Sequence, residues 1–139
     1  MASVRTRRSP RAVFDAVYRA EPANVAHVRH EVADVASMCG ADDATLSKIK
    51  LAVSEAASNV VLHAYRDSLA VGDIHVLVER SDDCLKVFVG DDGIGMSPRI
   101  DSPGVGLGLS LMANLADRCA INLTRAGGTE IILQFEMAA

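Results

Sequence analysis

Three polar side chains recur at intervals of four residues along one predicted helix: Glu55, Asn59 and His63. Side chains with this spacing project from successive turns of the same helix face. A carboxylate and an amide oxygen are hard ligands of the kind that Mg²⁺ binds in proteins, where phosphates and water complete its shell. The same spacing also occurs on ordinary polar helix faces. Glu55 and Asn59 therefore indicate a metal and phosphate site only together with other motifs.

A second group of candidate residues follows an apolar run that is typical of a strand: Asp91, Gly93 and Gly95. Glycine lets a ligand approach the backbone closely. A carboxylate at the end of a strand can accept a hydrogen bond from an exocyclic amine such as that of adenine. The alternative is a surface turn, because Asp and Gly are common turn residues.

Further glycines precede and open a predicted helix, at Gly104, Gly106 and Gly108. The backbone N–H groups at a helix start bind phosphate readily. The letters GxGxxG do not occur here and the segment follows a loop, so a Rossmann interpretation fails. Near the C-terminus, Thr129 follows a glycine pair, and its hydroxyl could bridge to a base. A hairpin turn that leads into a β-branched strand residue explains the same letters at least as well.

The elements that position these residues follow from hydrophobic periodicity and from cap and turn residues. A helix Pro22–Met38 is expected to stop at Gly40, and Asp42 or Asp43 caps a second helix that runs to about Tyr65. The other predicted elements are the strands Ala12–Tyr18, Ile74–Arg80, Leu85–Val89, Ala120–Thr124 and Glu130–Phe135, and a helix Leu107–Ala116. This order predicts an α+β two-layer sandwich, in which about three helices cover one face of a mixed or antiparallel sheet.

Composition bounds the size and the class of the molecule. The 139 residues suffice for one domain, and half of them are apolar, so a folded core is expected. The formal net charge of −4 argues against direct nucleic-acid binding, because neutralising phosphates requires a basic surface. Residues 1–11 are expected to form a flexible basic arm that carries Arg5, Arg7, Arg8 and Arg11.

The cysteines and the lengths of the apolar runs indicate in which cellular compartment the protein is expected. Three cysteines lie far apart in the sequence, and no secretory leader is evident, which favours reduced thiols and a cytoplasmic location. No apolar run approaches the roughly 20 residues of a membrane span. The cysteines are Cys39, Cys84 and Cys119.

The motifs gain specificity from their conjunction along the chain. In order, they are Glu-x3-Asn on a helix, Asp-x-Gly-x-Gly after a strand, Gly-x-Gly-x-Gly before a helix, and Gly-Thr at the last strand. This conjunction resembles the GHKL (histidine-kinase-like) superfamily of ATP-binding domains, with its Bergerat-type fold. Within that superfamily, the chain looks like the anti-sigma-factor serine kinases of bacteria over roughly Ala20–Glu136.

The resemblance implies a role for each site residue. Asn59 would ligate Mg²⁺ beside ATP, and Glu55 would be the general base. Asp91 would bind the adenine amine, with Thr129 assisting through water. Arg29 lies where relatives of the family contact protein partners. The glycines expected to line the nucleotide are Gly93, Gly95, Gly104, Gly106 and Gly108.

The function implied by the resemblance is that of an ATP-binding anti-sigma factor and serine kinase. It would phosphorylate an anti-anti-sigma factor, sequester a sigma factor, and form a homodimer. The segment from Gly95 to Gly104 is shorter than the lid of many relatives, which favours an alternative: a nucleotide-dependent protein-binding clamp with negligible kinase activity. A histidine-kinase catalytic domain would need a helix pair with a phosphoacceptor His, for which 139 residues leave no room.

Overall fold

The structure is a computed structural model that describes residues 9–65, 70–93, 105–124 and 127–137, with the backbone alone for residues 105–109. This part of the chain forms three α-helices, one π-helical turn and a five-stranded sheet. The elements in order are β1 (Arg11–Arg19), α1 (Pro22–Met38), α2 (Asp43–Asn59), the π turn (Val60–Ala64), β2 (Asp73–Ser81), β3 (Cys84–Asp91), α3 (Val105–Leu115), β4 (Arg118–Leu123) and β5 (Thr129–Glu136).

The sheet has the strand order β1-β2-β3-β5-β4, and every pair of neighbouring strands is antiparallel. Helix α2 packs between α1 and α3 and contacts β3 and β5. The α+β two-layer prediction is therefore confirmed, and the sheet is antiparallel rather than mixed. Because β5 inserts between β3 and β4, the end of β3 lies beside the start of β5.

The first helix has the predicted bounds, and its sequence explains both ends. Pro22 occupies the first turn, where its fixed φ suits the helix. The chain leaves the helix at Gly40, whose φ of +96° lies in the left-handed region that favours glycine after a helix end. Between these ends, Val28 and Val32 are fully buried against the rest of the core.

The second helix begins as predicted but changes its geometry near its end. Asp42 is the N-cap, and its Oδ1 accepts a hydrogen bond from the backbone N–H of Thr45 at 2.8 Å. The predicted continuous helix to Tyr65 is wrong in one respect, because the residues after Asn59 form the π turn Val60–Ala64. A π turn bonds i to i+5, which widens the helix locally and shifts the side chains that follow. Hydrophobic periodicity does not reveal such a local change.

The predicted strands and their hairpins are present, with bounds that differ by a residue or two. Ser81 pairs with Cys84 across the short connection between β2 and β3. β4 begins at Arg118 rather than Ala120, and α3 begins at Val105 rather than Leu107. Arg11 pairs with Arg80 within the sheet, so Arg11 does not belong to the expected flexible arm. Residues 1–8 lie outside the described residues.

The core lies between α2 and the helix-facing side of the sheet. Fully burying an apolar side chain of this size contributes about 1.5–3 kcal/mol. The largest fully buried side chains are Phe135, Ile49, Ile74, Leu85, Met112 and Leu133. All three cysteines are free thiols. No helix in the described part of the chain is long and apolar enough to cross a membrane.

Candidate functional site

Asn59, the last residue of α2, has an unusual environment. The residue is only 5% exposed. Among the residues that the structure describes, its Nδ2 is the one buried side-chain nitrogen or oxygen without a hydrogen-bond partner. Leaving such a group unsatisfied costs about 1–3 kcal/mol. A buried, unpaired polar atom calls for a ligand or an ion as its partner. Because the two ends of an amide have nearly the same shape, rotating the group places its oxygen there.

Glu55 lies one turn before Asn59 on the same helix and is partly exposed. A carboxylate in this position can receive a proton from a group that is bound beside Asn59. His63 was expected to continue the same row of side chains. It instead lies within the π turn, so the α-helical row ends at Asn59. His63 is partly buried and has an interaction partner.

Asp91, the last residue of β3, is 4% exposed and accepts two backbone hydrogen bonds on one oxygen. Its Oδ1 accepts from the N–H of Gly93 at 2.9 Å and from the N–H of Thr129 at 3.4 Å. Its Oδ2 accepts no hydrogen bond from the described residues. Burial raises the pKa of the Asp91 carboxyl, while the two N–H donors act in the opposite direction. The group is thus an oriented, desolvated acceptor at the strand end.

Thr129, the first residue of β5, meets Asp91 because of the strand order. The neighbouring residues Gly90 and Glu130 pair across β3 and β5, and Thr129 itself is 3% exposed. Thr129 also makes an interaction beyond its hydrogen bond to Asp91. The structure therefore brings Asp91 and Thr129 together, as the resemblance implied, although 38 residues separate them in sequence. Their roles toward a base stay predictions.

Two glycines allow the chain segments of the site to approach one another. A Cβ on Gly93 would lie 2.1 Å from the carbonyl oxygen of Ala64, at the end of the π turn. A Cβ on Gly128 would lie 2.0 Å from the carbonyl oxygen of Asp91. Real Cβ atoms do not approach backbone that closely, so only glycine fits at either position. Gly93 was predicted as a site residue from the sequence, whereas Gly128 was noted only within the Gly-Thr motif and as part of a hairpin turn.

Tyr65 is a residue of the site that the sequence motifs missed. Its hydroxyl donates to the carbonyl oxygen of Asp73 at 2.6 Å and accepts from the N–H of Asp92 at 3.1 Å. The side chain of Asp92 is also paired with His75, with Nε2 and Oδ2 2.7 Å apart. The only available sequence signal was a tyrosine at the end of an amphipathic helix, because a half-buried tyrosine hydroxyl usually finds a polar partner.

Arg29 of α1 lies beside the helix that carries Glu55. Its Nη1 donates to the hydroxyl of Ser54 at 3.3 Å, and that hydroxyl donates to the carbonyl oxygen of Lys50 at 2.7 Å. Arg29 is partly exposed. The guanidinium group of Arg29 is therefore held next to α2, where it contacts Ser54, the residue that precedes Glu55.

The other glycines predicted to line the nucleotide divide into two groups. Gly95 and Gly104, with the short lid segment between them, lie outside the described residues. Gly106 and Gly108 were expected around the helix start and lie within the first turn of α3. The first four N–H groups of an α-helix have no acceptor within the helix, so this turn can donate to a phosphate. Phosphate contact by these glycines stays a prediction.

Comparison with known proteins shows the family of the chain. Residues 18–135 match the family model of the histidine kinase-like ATPase domain. The chain is 32% identical over 118 residues to the anti-sigma F factor of Clostridium acetobutylicum, covering 75% of this chain and 81% of that protein. It is 30% identical over 112 residues to the serine-protein kinase RsbW of Staphylococcus epidermidis, covering 70% of each.

A solved structure has the same fold. The RsbU and RsbW domains of a Mycobacterium tuberculosis protein match with a TM-score of 0.70 and 24% identity, covering 95% of this chain and 34% of that longer chain. At this identity, the likeness concerns the fold alone. The family match, in contrast, spans the helix with Glu55 and Asn59 and the strand end with Asp91. The chain therefore belongs to the histidine kinase-like ATPase domain family, in the branch of the bacterial anti-sigma-factor serine kinases.

Proposed function

We propose that this protein is an ATP-dependent serine kinase that phosphorylates an anti-anti-sigma factor and that also sequesters a sigma factor. The observation that carries the proposal is the buried Nδ2 of Asn59, which has no hydrogen-bond partner among the described residues and lies one helical turn from Glu55. The names of its relatives, an anti-sigma F factor and a serine-protein kinase, support the same activity. A cytoplasmic homodimer is part of this proposal.

The residues of the site fit Mg-ATP in three places. The Oδ2 of Asp91, which accepts no hydrogen bond from the described residues, suits the amine of adenine, and Thr129 lies beside Asp91. The amide oxygen of Asn59 suits Mg²⁺, which takes few protein ligands and completes its shell with phosphate and water. The first turn of α3, with Gly106 and Gly108, offers backbone N–H groups to the phosphates. Bound Mg-ATP supplies a γ-phosphoryl group whose negative charge is partly neutralised.

In this proposal, Glu55 is the general base. Its carboxylate accepts the proton of the serine hydroxyl as that oxygen forms its bond to the γ-phosphorus, and the bond to the leaving ADP oxygen breaks in line. A positioned base of this kind contributes roughly 10²–10⁴-fold to the rate. The acceptor protein must approach over the exposed side of α2, since α1 and α3 cover its flanks. Arg29, held beside this surface, would contact the protein partner.

Phosphate transfer tests the proposal directly. The protein is incubated with γ-labelled Mg-ATP and with candidate partners encoded in its own operon, and ATP affinity is measured in parallel. We expect label on a serine of one partner, and Glu55→Gln should slow transfer roughly 10²–10⁴-fold with nearly unchanged ATP affinity. Glu79→Gln, on β2 away from the helices, is the matched control.

The outcomes separate the kinase from its alternative. Binding of Mg-ATP without transfer to any partner would make the protein a nucleotide-dependent protein-binding clamp. Transfer at the wild-type rate by Glu55→Gln would remove the general-base role from Glu55. Equal loss of ATP binding in Glu55→Gln and in Asn59→Ala would make Glu55 a metal or structural residue.

A further inference from the structure

Three backbone segments meet at the hydroxyl group of Tyr65. Tyr65 directly follows the π turn, Asp73 begins β2, and Asp92 follows the last residue of β3. The hydroxyl donates to the carbonyl oxygen of Asp73 at 2.6 Å and accepts from the N–H groups of Asp73 at 3.0 Å and Asp92 at 3.1 Å. One side-chain oxygen thus binds three backbone groups at the start of β2 and just after β3, two strands that the ladder already pairs at Ile74 and Asp91, and ties both strand ends to the residue after the π turn.

The ring of Tyr65 lies against the backbone at Gly72. It lies so close to the backbone at Gly72 that a Cβ there would be 2.1 Å from Cε1 and 2.5 Å from the hydroxyl oxygen. A side chain at position 72 would therefore collide with the ring of Tyr65 and displace it. Glycine at position 72 is therefore part of the same arrangement. The residues between Tyr65 and Ala70 lie outside the described part of the chain.

The hydroxyl of Tyr65 remains a donor at neutral pH. Burial raises the pKa of the Tyr65 phenol, and the hydrogen bonds from Asp92 and Asp73 act in the opposite direction. The nearby carboxylates of Asp91 and Asp92 also raise that pKa. The phenol therefore keeps its proton, which it needs for the bond to the carbonyl oxygen of Asp73.

The bond to Asp92 bears on base recognition because Asp92 is covalently joined to Asp91. The carboxylate of Asp91 is oriented on one side by the N–H of Gly93 and the N–H of Thr129. Tyr65 holds the peptide that links Asp91 to the turn containing Gly93. The side chain of Asp92 also pairs with His75. The His75 side chain is 46% exposed and that of Asp92 is 66% exposed, and ion pairs this exposed contribute little to stability.

We propose that Tyr65 is the positioning residue for base recognition, because its hydroxyl fixes the direction in which Asp91 presents its free oxygen to an exocyclic amine. This inference rests on the proposed nucleotide binding. The effect of Tyr65 on affinity is confined to ligands that carry the amine. If Tyr65 had a merely structural role, its loss would lower the affinity for all nucleotides alike. The two roles therefore differ in the ratio of the affinities for nucleotides with and without the amine.

The test compares two nucleotides and two tyrosines. Equilibrium affinities are measured with Mg²⁺ for ATP and for purine riboside triphosphate, which lacks the 6-amino group. Tyr65→Phe keeps the ring and removes the hydroxyl. Tyr18→Phe is the matched control, because Tyr18 is the only other tyrosine of the chain and its hydroxyl is hydrogen-bonded to Glu31 on the β1–α1 side.

We expect Tyr65→Phe to lower the affinity for ATP roughly 3- to 10-fold, which corresponds to about one net hydrogen bond. The affinity for purine riboside triphosphate should stay unchanged. Tyr18→Phe should leave the ratio of the two affinities unchanged. In an Asp91→Asn background, Tyr65→Phe should have no further effect on that ratio, because the group that Tyr65 positions is already altered. Gly72→Ala displaces the ring without removing the hydroxyl. Like Tyr65→Phe, it should lower the ratio of the affinity for ATP to the affinity for purine riboside triphosphate.

Each outcome bears on one part of the reasoning. Equal weakening of both nucleotides by Tyr65→Phe, or an unchanged ratio in both Tyr65→Phe and Gly72→Ala, would overturn the inference and leave the proposed function intact. A wild-type protein that binds neither nucleotide would remove the proposed function, and the inference with it. If Tyr65→Phe does not fold, as judged by its thermal transition, Gly72→Ala carries the comparison.

Discussion

Replacing Gly93 by alanine should damage both the fold and the nucleotide site. The added Cβ would lie 2.1 Å from the carbonyl oxygen of Ala64, 2.8 Å from its carbonyl carbon and 3.0 Å from Oδ1 of Asp91. Both partners of the collision with Ala64 are backbone, so no side chain can rotate out of the way. The carbonyl of Ala64 ends the π turn immediately before Tyr65.

The size of the effect follows from these distances. Carbon–oxygen contacts become comfortable at about 3.3 Å, so a separation of 2.1 Å requires a shift of about 1.2 Å in one of the two segments. Forcing extra atoms into packed structure costs about 1–3 kcal/mol. Restricting the unfolded chain returns about 0.4–1 kcal/mol when glycine becomes alanine. We therefore expect the free energy of unfolding of Gly93→Ala to fall by about 1–2 kcal/mol.

Gly90→Ala is the matched control, since Gly90 lies three residues earlier on β3. A Cβ there would be 3.6 Å from the nearest atom, the carbonyl oxygen of Thr129, which is ordinary contact. Denaturant unfolding of both variants and ATP titration with Mg²⁺ provide the assay. Gly90→Ala should be as stable as the wild type or more so, and should bind ATP normally. If Gly93→Ala matches Gly90→Ala in both measurements, the close approach at Ala64 is not a constraint of the native state.

Three other predictions concern single side chains. Burial raises the pKa of Asp91, so its ionised form is disfavoured in the folded state, and the stability of the wild type relative to Asp91→Asn should decline as pH rises from about 4, the ordinary value. Thermal unfolding of both proteins across this pH range measures the difference, and parallel profiles would contradict it. Asn59→Ala should abolish the Mg²⁺-dependent part of the affinity for ATP. Asn122→Ala, which changes an exposed residue of β4, should retain it, and calorimetry with and without Mg²⁺ measures both affinities. Arg29→Ala should leave ATP affinity intact but weaken recovery of the protein partner in a pull-down, whereas Arg80→Ala at the far end of β2 should not; equal recovery would make Arg29 a solvated helix residue.

Local signals in the sequence were sufficient for most of the secondary structure. Pro22 and Gly40 bounded α1, because each acts through its own backbone conformation rather than through distant contacts. Asp42 capped α2 for the same reason, since its acceptor reaches only as far as Thr45. The candidate site residues Glu55, Asn59 and Asp91 were also singled out by type and spacing, since helix periodicity and strand ends are local properties.

The tertiary structure alone decided how these residues meet. The order β3-β5-β4 brings Thr129 to Asp91 across 38 residues, a pairing that depends on long-range strand assembly. The π turn after Asn59 takes His63 out of the row formed by Glu55 and Asn59. Because the sequence analysis assumed a regular α-helix of 3.6 residues per turn, it did not predict that shift. Tyr65 was overlooked, and Gly128 was noted only within the Gly-Thr motif, because the importance of both residues lies in which distant backbone they contact. The sequence determined which groups could do chemistry and which local elements carry them. Only packing determined the directions in which those groups point, because direction depends on contacts between segments far apart in the chain.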